Sequence, residues 1–476
     1  MTFYDNTHPH TWGVNPETTQ IVLRLVSNPT PQRGDNGNGS HGALASKPAS
    51  NCRELQVGRA RRGKDPLRAL VEKQDRRKNL VLGAPQCMGC DLTWVAFAEP
   101  KEPYMSEACA DFLTCVRDTF YPSQVCARLD KVDRSLWVVL LEDPLYFNAI
   151  QFGTLAYREL LAGLPSSKET HKHRLKTIGL LRERLGSIDK QAATSDATAL
   201  AIIILAHFAE AIGDTKSFEA HINGLKALVD ARGGLKDLKS GLLELRTKIC
   251  RVDTAFAFLS DRPPMFFQGE VPWDRYVVDQ QKPTNTGSNY IHLQTMQPLD
   301  WRLVNVWLDM QQFSFMCNDN QKRGVRLDQL VYSKIMVSMQ YRLLSLSFND
   351  FSLNNALRAG MLVVMTRLMF GWHPRNDAQV RAAVRLDEAM VSILDGKIDV
   401  PHQLLFWMHM VRSQLGGLAR IDVRLNAWLV DTLEALSFRS WAESRELLLS
   451  MVWFEFFGDS QAELAFDYAS MNLPDR

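Results

Sequence analysis

His221 to Leu238 reads HINGLKALVDARGGLKDL, and this stretch decides how the chain is understood. Ile222, Leu225, Leu228 and Val229 recur at helical spacing, so the segment opens as an amphipathic helix. It then meets Gly233-Gly234, and the apolar pattern resumes at Leu235 and Leu238. Backbone amides at such a break can meet an anion. The simpler reading is a tight junction between two helices, built on conformations that glycine permits. No GKS or GKT follows the glycines, as a phosphate loop would require.

Working outward, helical periodicity continues on both sides. Thr198 to Ile212 is almost wholly apolar, which predicts a helix buried on most sides. Leu242, Leu245, Ile249, Val252, Phe256 and Leu259 alternate spacings of three and four. They form one apolar face, and Glu244, Arg246, Lys248, Arg251 and Asp253 occupy other positions. Pro263 and Pro264 stop that helix. A loop-rich insert spans 265–300.

Further helices are expected over Ala108–Phe120, Ser135–Leu160 with an interruption at Pro144, and His171–Leu185. Beyond the insert they are expected over Leu303–Met316, Leu327–Leu346, Leu353–Phe370, Val380–Ile393, Gln403–Leu415, Val423–Leu436 and Trp441–Phe457. No alternation of strands with helices is visible, which argues against a doubly wound sheet. The fold class read from the sequence is all-α, a multi-helical domain behind an irregular N-terminal segment.

The chain of 476 residues is 46% hydrophobic, enough to build a sizeable core. Its 55 basic and 53 acidic side chains nearly cancel, which argues against a whole-protein polyanion binder. Residues 1–50 are rich in Pro, Gly, Asn and Ser and are expected to be disordered. Residues 51–104 form a basic, cysteine-containing linker. There Arg59, Arg61, Arg62, Lys64, Arg76, Arg77 and Lys78 are candidate DNA-phosphate contacts, or simply a solvated stretch. The start of the chain lacks a signal-peptide pattern. The apolar run Ala197–Ala206 is cut short by His207 and Glu210, well below a membrane span. No membrane association is expected.

The sequence is poor in recognisable chemistry. HExxH, GxSxG, the Walker loop and GxGxxG are all absent. Cys87 and Cys90 form a CxxC that can chelate zinc or act as a redox pair, but Cys109, Cys115 and Cys126 follow at unsuited spacings. No metal site, cofactor or catalytic residue is assigned, and the chain is read as a non-enzyme. His207 reads as a satisfied imidazole in an apolar helix. The aromatics Trp301, Trp307, Phe313 and Phe315 could line a pocket, although their spacing is that of an ordinary core.

FEAHINGLKALVDARGGLKDL, LLELRTKICRVDTAFAF and DRPPMFF, in this order from Phe218 to Phe267, together resemble the second type of fungal-specific transcription factor domain. WAESRELLLSMVWFEFF, Trp441 to Phe457, is similar to that domain's closing helix. The residues that carry the likeness are His221, Gly224, Arg232, Gly233, Gly234 and Asp253, with Pro263-Pro264. The resemblance covers about 105–460 and leaves 461–476 as a tail. It implies an all-helical regulatory domain that modulates transcription in the nucleus through effectors, self-association or partner proteins. The partners it implies are DNA or a DNA-binding protein, a second copy of the chain, and a small-molecule effector. The six-cysteine zinc cluster that usually precedes such a domain is missing, so direct DNA binding is not expected from a metal-organised module.

Overall fold

In a computed structural model of the chain, the described residues are 99, 102–112, 121–122, 124–126, 139–140, 142–238, 245–266, 271–277, 299–370, 377–414 and 423–471. The candidate phosphate contacts from Arg59 to Lys78, the Cys87–Cys90 pair and the N-terminal stretch lie outside them. The described residues form an all-α, multi-helical domain. Among them there is no strand, only an isolated parallel bridge between Cys126 and Leu327.

The chain runs through α1 (Pro103–Asp111), α2 (Pro144–Ala162), α3 (Lys168–Gly186), the short α4 (Lys190–Ala193), α5 (Asp196–Ile212), α6 (Thr215–Ala231) and α7 (Leu245–Ser260). It continues through α8 (Trp301–Lys322), α9 (Gln329–Ser345), α10 (Leu353–Phe370), α11 (Asp377–Asp395) and α12 (His402–Ser413). It closes with α13 (Val423–Leu436), α14 (Trp441–Leu449) and α15 (Glu455–Ser470). Many starts are fixed by a side-chain oxygen that accepts from an otherwise unpaired first-turn N–H. Asp143, Ser167, Ser195, Asp214, Asp300 and Asp328 all do so. Helical backbone at 139–140 and 142 stops at Asp143, so the expected interruption at Pro144 is present. Pro144 sits at the first position of α2, where its missing N–H costs nothing.

α5 is buried on most sides, as its composition predicts. By length and composition Lys190–Ile212 could cross a membrane, but the chain turns at Thr194–Ser195, and 56% of its most apolar window is buried inside the fold. α7 departs from the amphipathic expectation. Val252 to Phe258 is buried on every side, and Asp253, expected away from the apolar face, is 0% exposed. The helix is packed between α5 and α9 and also touches α11, so it has no solvent face over that turn.

The C-terminal half is organised around three fully buried tryptophans, Trp307, Trp407 and Trp453. Trp307 and Trp407 meet edge-to-face at 4.6 Å. The expected single helix Trp441–Phe457 is instead split, and the chain continues as α15 to Ser470. Between the two helices, Met451 to Phe454 crosses the core in irregular conformation. Buried carbonyls outside a helix need donors. Gln311 donates to Ser450 O, Trp407 Nε1 to Val452 O at 2.9 Å, and Asn318 Nδ2 to Trp453 O at 2.8 Å.

Candidate functional site

The RGGL junction is a structural turn. Arg232 ends α6, and Gly233 and Gly234 take φ values of 89° and 93°, which side chains with a Cβ rarely adopt. Gly234 N–H donates to Val229 O at 2.9 Å, closing the helix end, and Leu235 and Leu238 then return to the core. Arg232 pairs with Asp196 in the first turn of α5 at 2.7 Å. His221 is half-buried on α6, and burial pushes its imidazole pKa down, helped by the Arg174 cation. Gly224 lies on the exposed face of α6, and a Cβ there would meet nothing within 4 Å.

Asp253 has a different task. Its carboxylate accepts from the backbone N–H of Met265 at 2.7 Å and of Phe266 at 3.1 Å, and from the Tyr341 hydroxyl. It thereby fastens the segment after Pro263-Pro264 against α9. Burial raises its pKa above the usual carboxylate range, opposed by the Tyr341 hydrogen bond. Asp309 on α8 plays the same part for 276–277, accepting from Tyr276 N–H at 2.8 Å and Val277 N–H at 3.1 Å. Two described pieces of the insert, 265–266 and 276–277, are thus held by buried aspartates.

None of these motif residues lines the cavity present among the described helices. That cavity, of about 220 Å³, opens between α2 and α5 on one side and α7, α9 and α10 on the other. α2 presents Tyr146, Ile150, Gly153, Tyr157 and Leu160, spaced by alternating fours and threes along one face. α5 presents Leu200, Ile203, Ile204, His207, Phe208 and Ala211 at the matching helical spacing. Gly153 allows the two helices to meet closely, since a Cβ there would come within 2.8 Å of Ile204. Phe208 packs edge-to-face on Phe152 at 4.7 Å.

The opposite wall is more polar. Thr247, Lys248 and Arg251 come from one turn of α7, and Gln329, Ser333 and Gln340 from α9. Arg251 lies over the Tyr121 ring, 5.3 Å from its centroid. Gln340 is fixed by the Thr254 hydroxyl, which donates to it at 2.9 Å. His207 is oriented by Glu210, whose Oε2 lies 3.0 Å from its Nδ1, so the imidazole is satisfied through that nitrogen, as expected. Apolar walls with a few fixed polar groups are the usual composition of a small-molecule site.

Trp301, Trp307, Phe313 and Phe315, whose spacing reads as ordinary core, do not line this cavity. Trp307 and Phe313 are packed in the core, and Trp301 is 59% exposed at the start of α8. The residues that do line it were not separable in sequence from ordinary core, except Lys248 and Arg251, which stand outside the apolar seam of α7. Among the described residues no group of His, Cys, Asp and Glu side chains could hold a metal ion. Cys109, Cys126, Cys250 and Cys317 are buried, and burial pushes the Cys250 thiol up to about 12.

No protein-family model, no curated protein and no solved structure matches the chain.

Proposed function

We propose that this chain is a transcription-regulator-like protein of the fungal zinc-cluster class, non-enzymatic, whose helical domain receives a small apolar effector in the cavity between α2, α5, α7 and α9. The cavity is the observation that carries this reading: it is walled mostly by apolar and aromatic side chains, with most of its polar groups on the α7–α9 side. The ordered motifs from His221 to Phe267 support the class, and the buried aspartate latches give the domain a rigid frame for a ligand. The nucleus is the proposed compartment. DNA is reached through the basic segment or through a DNA-binding protein. Chromatin occupancy and transcript profiling with and without deletion of the gene test the regulatory role. Occupancy at promoters with altered transcripts is expected, and absence of both sinks it.

A helical interaction scaffold is the second reading. It is favoured by Leu464, Tyr468 and Met471, which are 47%, 67% and 82% exposed at spacings of four and three along the end of α15. Sedimentation of the full chain at rising concentration tests it. A monomer throughout, with no protein recovered alongside it from cells, would count against the scaffold.

A further inference from the structure

We infer that the cavity takes a neutral carbonyl compound, a ketone or ester on a single-ring aryl or short alkyl body, whose oxygen accepts from the Gln340 side-chain amide. This rests on the reading of the cavity as a ligand site. Size comes first. A dry cavity of roughly 150 Å³ holds one benzene, so about 220 Å³ suits one ring with a short substituent. The body of such a molecule would lie against Ile203, Phe208 and Met336, all on the cavity wall.

The polar end comes second. Ser333, Met336, Val337 and Gln340 follow at helical spacing and form the α9 face of the cavity. Asp328, which caps that helix, is exposed, whereas Gln340, further along it, is only 5% exposed. The α9 face therefore runs from a solvent rim to a buried polar end.

The partners of Gln340 fix which way its amide faces. The Thr254 hydroxyl donates to Oε1 at 2.9 Å, and Thr254 is not on the cavity wall. Nε2 donates to Met369 Sδ at 3.1 Å, and Met369 is on the wall. The oxygen is thus turned away from the cavity and the nitrogen toward it. An amide nitrogen carries two N–H donors, and a thioether is a weak acceptor. Among the described residues this buried nitrogen has no stronger acceptor. A carbonyl oxygen on a ligand supplies one. A hydrocarbon ligand would leave the N–H dry, at the cost of its desolvation. An alcohol would bring an O–H to an end of the cavity where the amide oxygen is engaged and faces away.

Calorimetric titration of the full-length chain with acetophenone and α-methylstyrene tests this, because the two probes share one shape and differ only in C=O against C=CH2. Each affinity is referred to that probe's own partition between water and cyclohexane, so that only contacts made in the site count. On that scale acetophenone is expected to bind about fivefold more tightly, the size of one neutral hydrogen bond. Gln340→Met keeps the volume and removes the N–H donors, and Thr254 still has Arg251 O at 3.1 Å as an acceptor. In this variant the preference for the ketone should vanish, with α-methylstyrene bound at least as well as before. No preference for acetophenone in the wild type, or an equal preference in the variant, overturns the carbonyl inference and leaves the cavity reading standing. Binding of neither probe overturns both. The wild-type pair decides the matter even if the variant does not fold.

Discussion

Asp309 and Arg342 form an ion pair at 2.6 Å with side chains only 0% and 1% exposed. Arg342 spends its other donors on Ser338 O and Asp274 O, and Asp309 spends its remaining capacity on Tyr276 N–H, Val277 N–H and Arg275. Two desolvated charges are tolerated because nearly every donor and acceptor on them is used. Their shared product is the position of 274–277 against α8 and α9.

Removing Arg342 leaves the buried Asp309 carboxylate without its shortest charged partner, with only the longer Arg275 contact at 3.3 Å beside its two backbone donors. Arg342→Met should destabilise the domain by about 3–5 kcal/mol, read as a lowered urea midpoint. Adding Asp309→Asn should recover part of the loss, because the buried charge is gone and an amide oxygen still serves the loop. A double variant no more stable than Arg342→Met would show that the pair is not the cause.

The Asp253 latch predicts a local effect as well as a global one. Asp253→Ala leaves the Met265 and Phe266 N–H groups without their acceptor. Limited proteolysis should then cut first within 261–266, at protease levels that spare the wild type. Tyr341→Phe removes one hydrogen bond to a carboxylate and should cost about 1.5–3 kcal/mol with less gain in cleavage. Unchanged cleavage in Asp253→Ala would contradict the latch.

Three glycines in the opening stretch should respond in opposite directions. Gly233→Ala and Gly234→Ala force a Cβ into left-handed backbone and should each destabilise by about 1–2 kcal/mol. Gly233→Ala should be the worse, because its Cβ would come within 2.4 Å of the Asp237 carboxylate. Gly224→Ala lies in open helix and should stabilise by about 0.5–1 kcal/mol. Thermal unfolding of the three variants reads the signs directly.

His409 gives the domain an acid limb. It is buried on α12 beside Trp428, and burial, with help from the Arg412 cation, pushes its pKa down to about 3. The unfolded chain titrates this imidazole near 6.5, so between the two values it binds the extra proton. Stability from the neutral ring is full above about 6.5 and is lost as pH falls toward 3. His409→Leu should flatten the fall of the urea midpoint below pH 6.5 by up to one proton's worth. An unchanged slope would exclude His409 as the cause.

The helices were legible because their information is local. Leu245, Ile249, Val252 and Phe256 fall on one face whatever surrounds them. What could not be read was whether a second layer covers the other face, and for α7 it does, so Asp253 is buried where a surface carboxylate was expected. The break at Ser450–Phe454 was hidden for a related reason. Its residues are apolar and helix-compatible, and only distant side chains, Gln311, Trp407 and Asn318, make the irregular backbone affordable. The cavity was hidden most completely. Its wall uses the same apolar spacing that builds a solid core, and the space depends on how far α2 and α5 stand from α7 and α9.

The most direct measurement of the central claim is thermal unfolding of the full-length chain with octanol, a neutral probe, in the wild type and in Ala211→Phe. Ala211 lines the cavity, so the larger side chain fills it. The account predicts a saturable rise in unfolding temperature in the wild type and none in the variant. No rise in the wild type, or an equal rise in both, would contradict a ligand-binding cavity in this domain.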